Sequence, residues 1–584
     1  MKREPFLHRL AQSVLLTLST LVVVVALVAG VAWLIGRRGD KIEKGSWLVL
    51  DLYGEVSEYD PPGGPLGMVM GGDALTLQDM LDNLGKAAID DRIAGVIFRI
   101  SSSNTAGFAK LQELRAAVDR VQDAGKPVHA WADALDSRAL WLAAGCDRVM
   151  MPAGGYMTFR GMNNQRMYVR GMLEKLGITP HLHKIKDYKA AAEMIMNTEM
   201  SDAARENLRW LMDDIWTVLM DDLTRERGLT EQQILEAMAF AEFTPAEAVT
   251  AGLIDEIVYL QELEDRLKDE DDDRLKTVSH AAYADVSWQD AGLKTGDTVA
   301  VVHAQGNIGG RKNRVDPLMG VMMGHESVVR ELQRCRYDDD VKAVVLRVDS
   351  GGGESLASDL MAHEVARLAE VKPVVVSMVD VAASGGYYIA YKATRLVAAP
   401  LTITGSIGSI NGFFNMKGLY DKIGVNKDGL AMGPMAELGT DMRDPTPEEW
   451  ARHSEAHWTS FNEWLADVAE KRGMSFEEAE ALAHGRTWTG RQAQANGLVD
   501  AVGGLDDAVA LAARLAELDA DKAPQVVHLP RQPGLLAMIM GGGDGEVGEP
   551  VAAALRSAVA RALRGQVRET GAFLQGGAAG VVRP

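Results

Sequence analysis

Val374-Val375-Val376-Ser377 opens an apolar stretch that runs into Ala382-Ala383-Ser384-Gly385-Gly386-Tyr387-Tyr388-Ile389-Ala390-Tyr391. The first part reads as a buried strand, and the residues after the two glycines suit a helix. A serine at such a strand-to-helix turn is exposed, beside backbone N–H groups at the positive end of the helix dipole. Gly385 can bring its N–H close to a carbonyl oxygen with no side chain in the way. The same features also fit a simple helix N-cap. Residues elsewhere in the chain have to decide.

Sliding the sequence by 247 residues lays Asp133 on Asp380, Ser137 on Ser384, Arg148 on Arg395 and Gly177 on Gly424. The chain therefore holds two degenerate copies of one unit. Ser137 is followed by Arg138 where Ser384 is followed by a glycine, and Lys189 falls opposite Ala436. One copy offers a lysine and the other a serine in a glycine-rich setting.

Both copies alternate short apolar strands with amphipathic helices. Leu48–Gly54 matches Ala300–Gly306, Val96–Ile100 matches Val344–Val348, and His129–Trp131 matches Val374–Ser377. Strands separated by helices of ten or more residues indicate βαβ units with a largely parallel sheet, so the fold class is α/β. Both copies close on a related signature, Gly252-Leu253-Ile254-Asp255 and Gly497-Leu498-Val499-Asp500. The expected repeat domains are 45–275 and 296–525, followed by a Gly/Ala-rich, partly ordered tail over 526–584.

From Ala11 to Gly36 no residue is charged. That exceeds the roughly 20 residues a helix needs to cross a bilayer, and it is longer than the apolar region of a cleaved signal peptide, about 7–15 residues. The reading is an uncleaved transmembrane helix over 11–36. Lys2, Arg3 and Arg9 against Arg37 and Arg38 favour a cytoplasmic 1–10 and an extracytoplasmic body.

A chain of 584 residues fits two to four domains. Its formal charge of −21 argues against nucleic acid as a partner, because phosphate binding needs clustered basic surface. The acidic runs Glu262–Asp265 and Glu270–Asp273 lack calcium-loop spacing and read as a solvated loop between the copies. The two cysteines, Cys146 and Cys335, form no Cys-x-x-Cys pair, and the twelve histidines form no His-Glu-x-x-His pair. No metal and no cofactor is expected.

Arg347-Val348-Asp349-Ser350-Gly351-Gly352-Gly353 follows the second strand of the second copy directly. Successive glycines at the C-terminal end of a parallel strand let backbone amides face a ligand, and ligands bind at that edge. The first copy reads Ser101-Ser102-Ser103-Asn104-Thr105 here, so it has lost both glycine elements together. A serine hydroxyl needs a proton acceptor, and no histidine lies in either serine motif. A lysine can serve if burial lowers its pKa. Lys189 is the candidate, with Lys184 and Lys186 as near rivals.

Tyr188-Lys189-Ala190-Ala191-Ala192-Glu193, the Ala383–Tyr388 block, Thr404-Gly405-Ser406-Ile407-Gly408 and Gly485-Arg486-Thr487-Trp488-Thr489-Gly490 together resemble the long, duplicated form of the signal peptide peptidase A (protease IV) family. The likeness covers roughly residues 10 to 505. It implies tandem domains of the Clp protease/crotonase-like fold and a membrane-anchored serine endopeptidase that cuts remnant signal peptides. It also implies a bacterial inner-membrane location with the body outside the cytoplasm, and assembly into a homotetrameric ring.

By the same resemblance Ser384 is the nucleophile and Lys189 the general base. Ser406 orients the amine, and the Gly352 and Gly385 amides form an oxyanion hole. The family's Ser-Pro-Gly-Gly loop carries Gly351 in place of its proline, and its lysine motif continues here with Ala190 and Met194-Ile195. Two other functions fit the same elements: a crotonase-type acyl-CoA enzyme, and a non-catalytic peptide-binding scaffold. Whether serine and lysine meet within one chain or between chains stays open at this level.

Overall fold

The computed structural model describes residues 42–59, 76–316 and 319–530. The expected segments 1–10 and 11–36, and the tail after 530, lie outside them. Among the described residues no helix is long and apolar enough to cross a membrane.

Each repeat builds one eight-stranded sheet: six strands form its main path, and two more, Arg148–Met151 and Glu256–Ile257 in the first repeat and Arg395–Ala398 and Ala501–Val502 in the second, branch from the third strand of that path. The first runs Ala241–Phe243, Tyr156–Phe159, Val128–Leu135, Ile93–Ser101, Ser46–Leu52, Thr277–Ser279. The second runs Thr487–Thr489, Ile403–Gly405, Val374–Ala383, Val341–Ser350, Thr295–Gln305, Ala523–Leu529. The two orders coincide strand for strand. In both, only the first pair of the path is antiparallel.

The central strands are apolar on both faces because both faces are covered. Along Val341–Ser350, Val344 and Leu346 pack with Met361, Val365 and Leu368 of helix Ser355–Ala369. Ala343 and Val345 face the opposite side, against Leu505, Val509 and Ala512 of helix Leu505–Leu515. The closing signatures share a function in the fold. Arg227 bonds Gly252 O and both Asp255 oxygens, and Arg472 bonds Gly497 O and both Asp500 oxygens.

Two expectations need correction. The run Glu262–Asp265 is helical, within Leu260–Leu267, because Leu260, Leu263 and Leu267 pack on the cluster around Trp47 and Val258. Residues 526–529 belong to the second sheet instead of a tail: Ala523–Leu529 pairs in parallel with Thr295–Gln305 and supplies that strand's outer neighbour.

The repeats share a wide junction within the chain. Strand Thr179–Lys184 of the first pairs antiparallel with Ile410–Asn415 of the second, and Ile185 is buried in the second repeat's core. Asp380 accepts from the Gly107, Ala109 and Lys110 amides, capping helix Phe108–Asp123, whose own N-cap glycine has no side chain to do so. Arg347, fully buried, bonds Glu58 at 2.6 Å and Ser377 Oγ at 2.8 Å and pairs with Glu113 at 2.9 Å.

Candidate active site

Strand Val374–Ala383 ends at Ser384, which adopts φ 56°, ψ −117°. That conformation is unusual for a residue with a Cβ and costs about 1–3 kcal/mol. It breaks the strand sharply, starts the short helix Gly385–Tyr388, and leaves that helix without a side-chain cap. In the first repeat the equivalent helix, Ser137–Ala144, begins after Asp136, whose carboxylate accepts from the Arg138 and Ala139 amides. A carboxylate stands there where Ala383 stands in the second repeat, so the amides that could hold an anion are already occupied by one. That copy cannot bind an oxyanion at this helix.

Lys189 crosses from the first repeat. Its Nζ lies 2.9 Å from Ser384 Oγ, 2.9 Å from Ser406 Oγ and 2.9 Å from Ser406 O. Only 5 % of the residue is exposed, and burial pushes its ammonium down from 10.5 to about 7. A neutral amine has two hydrogens, which fit the two Ser406 oxygens. Its lone pair then faces the Ser384 hydroxyl, the geometry for taking that proton. Serine and lysine thus meet within one chain.

The lysine segment is fixed from both sides. Glu193, buried, accepts from Lys184 Nζ, Ser201 N and Ser201 Oγ. Gly485 presses against the Lys189 backbone, where a Cβ would fall 2.5 Å from the Lys189 nitrogen. The Arg486 guanidinium lies 4.2 Å from the Tyr188 ring centroid, and Arg486 O accepts from Ser406 N at 2.7 Å. The rivals are committed elsewhere: Lys184 pairs with Glu193 at 2.7 Å and Lys186 with Glu480 at 2.8 Å.

The glycine loop packs directly on the serine turn. A Cβ on Gly352 would meet the Gly385 nitrogen at 2.4 Å, and one on Gly385 would lie 3.0 Å from the Gly353 nitrogen. The Gly352 N–H donates to Ser350 Oγ at 3.1 Å, a contact that sequence reasoning missed. A Cβ at Gly351 would touch nothing within 4 Å, so the close packing of the loop does not depend on a glycine there. Ser384, Lys189, Ser406, Gly352 and Gly385 all line one cavity of about 840 Å³. Its walls include Leu356, Tyr388, Phe461 and Trp464, with His453 and His457 beyond them. Among the described residues no group of three His, Cys, Asp or Glu side chains could hold a metal ion.

Comparison with known proteins gives this geometry its context. A solved structure of the 1510-N membrane-bound stomatin-specific protease, a mutant in complex with a substrate peptide, is 15% identical, covering 42% of this chain and 96% of that one with a TM-score of 0.26. "Protease 4" of Salmonella typhi is 30% identical over 536 residues, 88% of this chain and 84% of that protein. "Serine protease SPPA, chloroplastic" of Arabidopsis thaliana is 33% identical over 508 residues, 86% of this chain and 74% of that protein. The model of peptidase family S49 matches residues 120–273 and 366–519, once in each repeat. The acyl-CoA and non-catalytic readings fall away: this chain belongs to peptidase family S49 and is a serine endopeptidase.

Proposed function

We propose that the chain is a membrane-anchored peptidase of the signal peptide peptidase type, working through Ser384 and Lys189. Ser384 Oγ attacks the scissile carbonyl while neutral Lys189 takes its proton. The resulting ammonium then protonates the leaving amine, and water resolves the acyl-enzyme with the lysine again as base. Ser406 supplies the two acceptors that orient the amine. The single observation carrying this reading is the 2.9 Å approach of a buried lysine to a serine at a strained turn.

The oxyanion falls to the Gly385 N–H and the Gly352 N–H. The latter leaves Ser350 Oγ as charge develops, because a hydrogen bond to an anion is about twice as strong as one to a neutral hydroxyl. An extended, apolar peptide fits the cavity walls, lying beside a strand edge. Remnant signal peptides are the substrate class that the relatives' likeness supports. The apolar 11–36 would tether the body outside the cytoplasm of a bacterial inner membrane, as a homotetrameric ring. The test is labelling with a serine-reactive acylating probe followed by peptide mapping. Adduct on Ser384 that disappears in Lys189→Ala is expected; adduct on another serine, or labelling indifferent to the lysine, refutes the assignment.

A further inference from the structure

The loop between strands Ile403–Gly405 and Ile410–Asn415 carries Ser406, whose two oxygens hold the Lys189 amine. Ser406 adopts φ 51°, a left-handed conformation that is costly for a residue with a Cβ and persists only where the surroundings over-determine it. Backbone bonds do part of this. Ser406 N donates to Arg486 O at 2.7 Å, Gly485 N to Ile407 O at 2.8 Å, and Ile185 N to Ser409 O at 3.1 Å. A side-chain tie closes the far end of the loop, where Ser409 Oγ lies 2.6 Å from His457 Nε2.

His457 carries that tie into the other repeat. It stands on helix Pro447–Arg472, is only 6 % exposed, and its Nδ1 lies 2.7 Å from His183 Nδ1. His183 belongs to strand Thr179–Lys184, which runs on to Lys189, and it sits opposite Asn411 in the pairing with Ile410–Asn415. Ser409, His457 and His183 thus form one series of side chains, from the loop that orients the amine to the strand that delivers it. A neutral imidazole has one N–H and one lone pair, so the ring joins both neighbours whichever way the series runs. Burial, followed by the neighbouring His183 and His453, pushes His457 down to about 4, so at neutral pH it brings no positive charge into the cavity. So weak a base holds Ser409 in place and does not activate it as a second nucleophile.

The plainer alternative is that these polar side chains merely fill the space between a helix and a strand. The other copy of the unit argues against it. Under the 247-residue shift Lys189 corresponds to Ala436, Ser406 to Phe159, Ser409 to Met162 and His183 to Leu430. The helices Asp202–Arg227 and Pro447–Arg472 align 245 apart, so His457 corresponds to Met212. The fold accepts apolar side chains at every one of these positions. Where the lysine is missing, the serine that orients it and the whole series behind that serine are missing with it.

We infer that His457 is a positioning residue for the peptidase reaction: through Ser409 on one side and His183 on the other, it fixes the loop that sets Ser406 against the Lys189 amine. This role rests on the serine/lysine mechanism proposed above. It acts on the rate through the amine's orientation, since a small misplacement of a reacting group lowers the rate steeply even where the substrate still binds.

The test is steady-state kinetics on an apolar quenched-fluorescence peptide, with the full chain in mild detergent. Ser409→Ala and His457→Phe should each lower kcat about tenfold or more, with KM changed less than about twofold. Ser409→Ala, which removes a single oxygen, carries the test if the larger change unfolds the chain. The two losses should not add, so the double variant should match the slower single one. In a Ser406→Ala background, where the positioned hydroxyl is gone, Ser409→Ala should cost less than about threefold. His457→Gln, whose amide reaches the Nε2 position, should recover most of the rate; His457→Asn, which reaches only the Nδ1 position, should not. Parent-like kcat in Ser409→Ala, a loss carried by KM, additive losses, or equal rescue by Gln and Asn would each overturn the inference. Lys189→Ala judges the dyad separately. Activity surviving there removes the mechanism, whereas an inactive Lys189→Ala beside a parent-like Ser409→Ala removes only the positioning role.

Discussion

The protonation of Lys189 is the most exposed point of the mechanism. An unperturbed lysine near 10.5 would be about 0.03% neutral at pH 7, whereas burial to about 7 makes half of it neutral. Desolvation thus raises the population of usable base roughly a thousandfold. In the proposed mechanism the deprotonated form is the active one, so kcat/KM for an apolar quenched-fluorescence peptide should climb about tenfold per pH unit below 7 and level off above it. At pH 5 it should stand about a hundredfold below the plateau.

The same titration acts on stability, and its sign is fixed. The folded pKa lies below the unfolded one, so between about 7 and 10.5 the unfolded chain binds more protons and folding strengthens as pH rises. Below pH 7 the full burial cost, on the order of 5 kcal/mol, is present. Relative to Lys189→Met, the parent should gain about 2 kcal/mol in urea unfolding between pH 7 and pH 9. An inflection in kcat/KM near 10, with chemistry shown to be rate-limiting, would refute the reasoning. So would a parent-to-Met difference that stays constant with pH.

Three further outcomes follow from the geometry. Gly385→Ala places a Cβ 2.7 Å from Ser358 Oγ and 3.0 Å from Gly352 Cα, which should push the 385 amide and the glycine loop apart and misplace the proposed oxyanion donors, so kcat should fall by a factor of about a hundred or more. Steady-state kinetics giving near-parent kcat would place the oxyanion elsewhere. Ser406→Ala removes one of the two acceptors that hold the amine but leaves Ser406 O, so kcat should drop about tenfold or more with KM little changed; a pure KM effect would contradict an orienting role. Arg347→Met strands the buried Glu58 and Glu113 carboxylates and should cost about 3–5 kcal/mol in urea unfolding. Near-parent stability would mean that the junction between the repeats does not depend on this cation.

Much of the site could be read from the sequence because its chemistry is local. The Ser384 turn, the 351–353 glycines and the Gly485 block each announce themselves within a few residues, since backbone approach and tight turns demand glycine wherever they occur. What could not be read are contacts between distant segments. Nothing near Asp380 in the sequence says that it caps a helix more than 270 residues upstream. Nothing near Ser350 reveals that its hydroxyl holds Gly352, and nothing in Glu262–Asp265 outweighs charge to reveal a helix, because Leu263 is buried only once Trp47 lies against it.

The sequence by itself determined the duplication, the α/β class and the division of a lysine and a serine between two copies. Periodicity, glycine placement and internal likeness are properties of the chain alone. Only the tertiary structure decided which lysine stands against Ser384 and that the two groups meet within one molecule. A pKa is set by desolvation, and desolvation depends on what packs around the amine. Lys184, Lys186 and Lys189 are alike in sequence. They differ because two lie beside carboxylates, while the third is enclosed against Ser384 and Ser406.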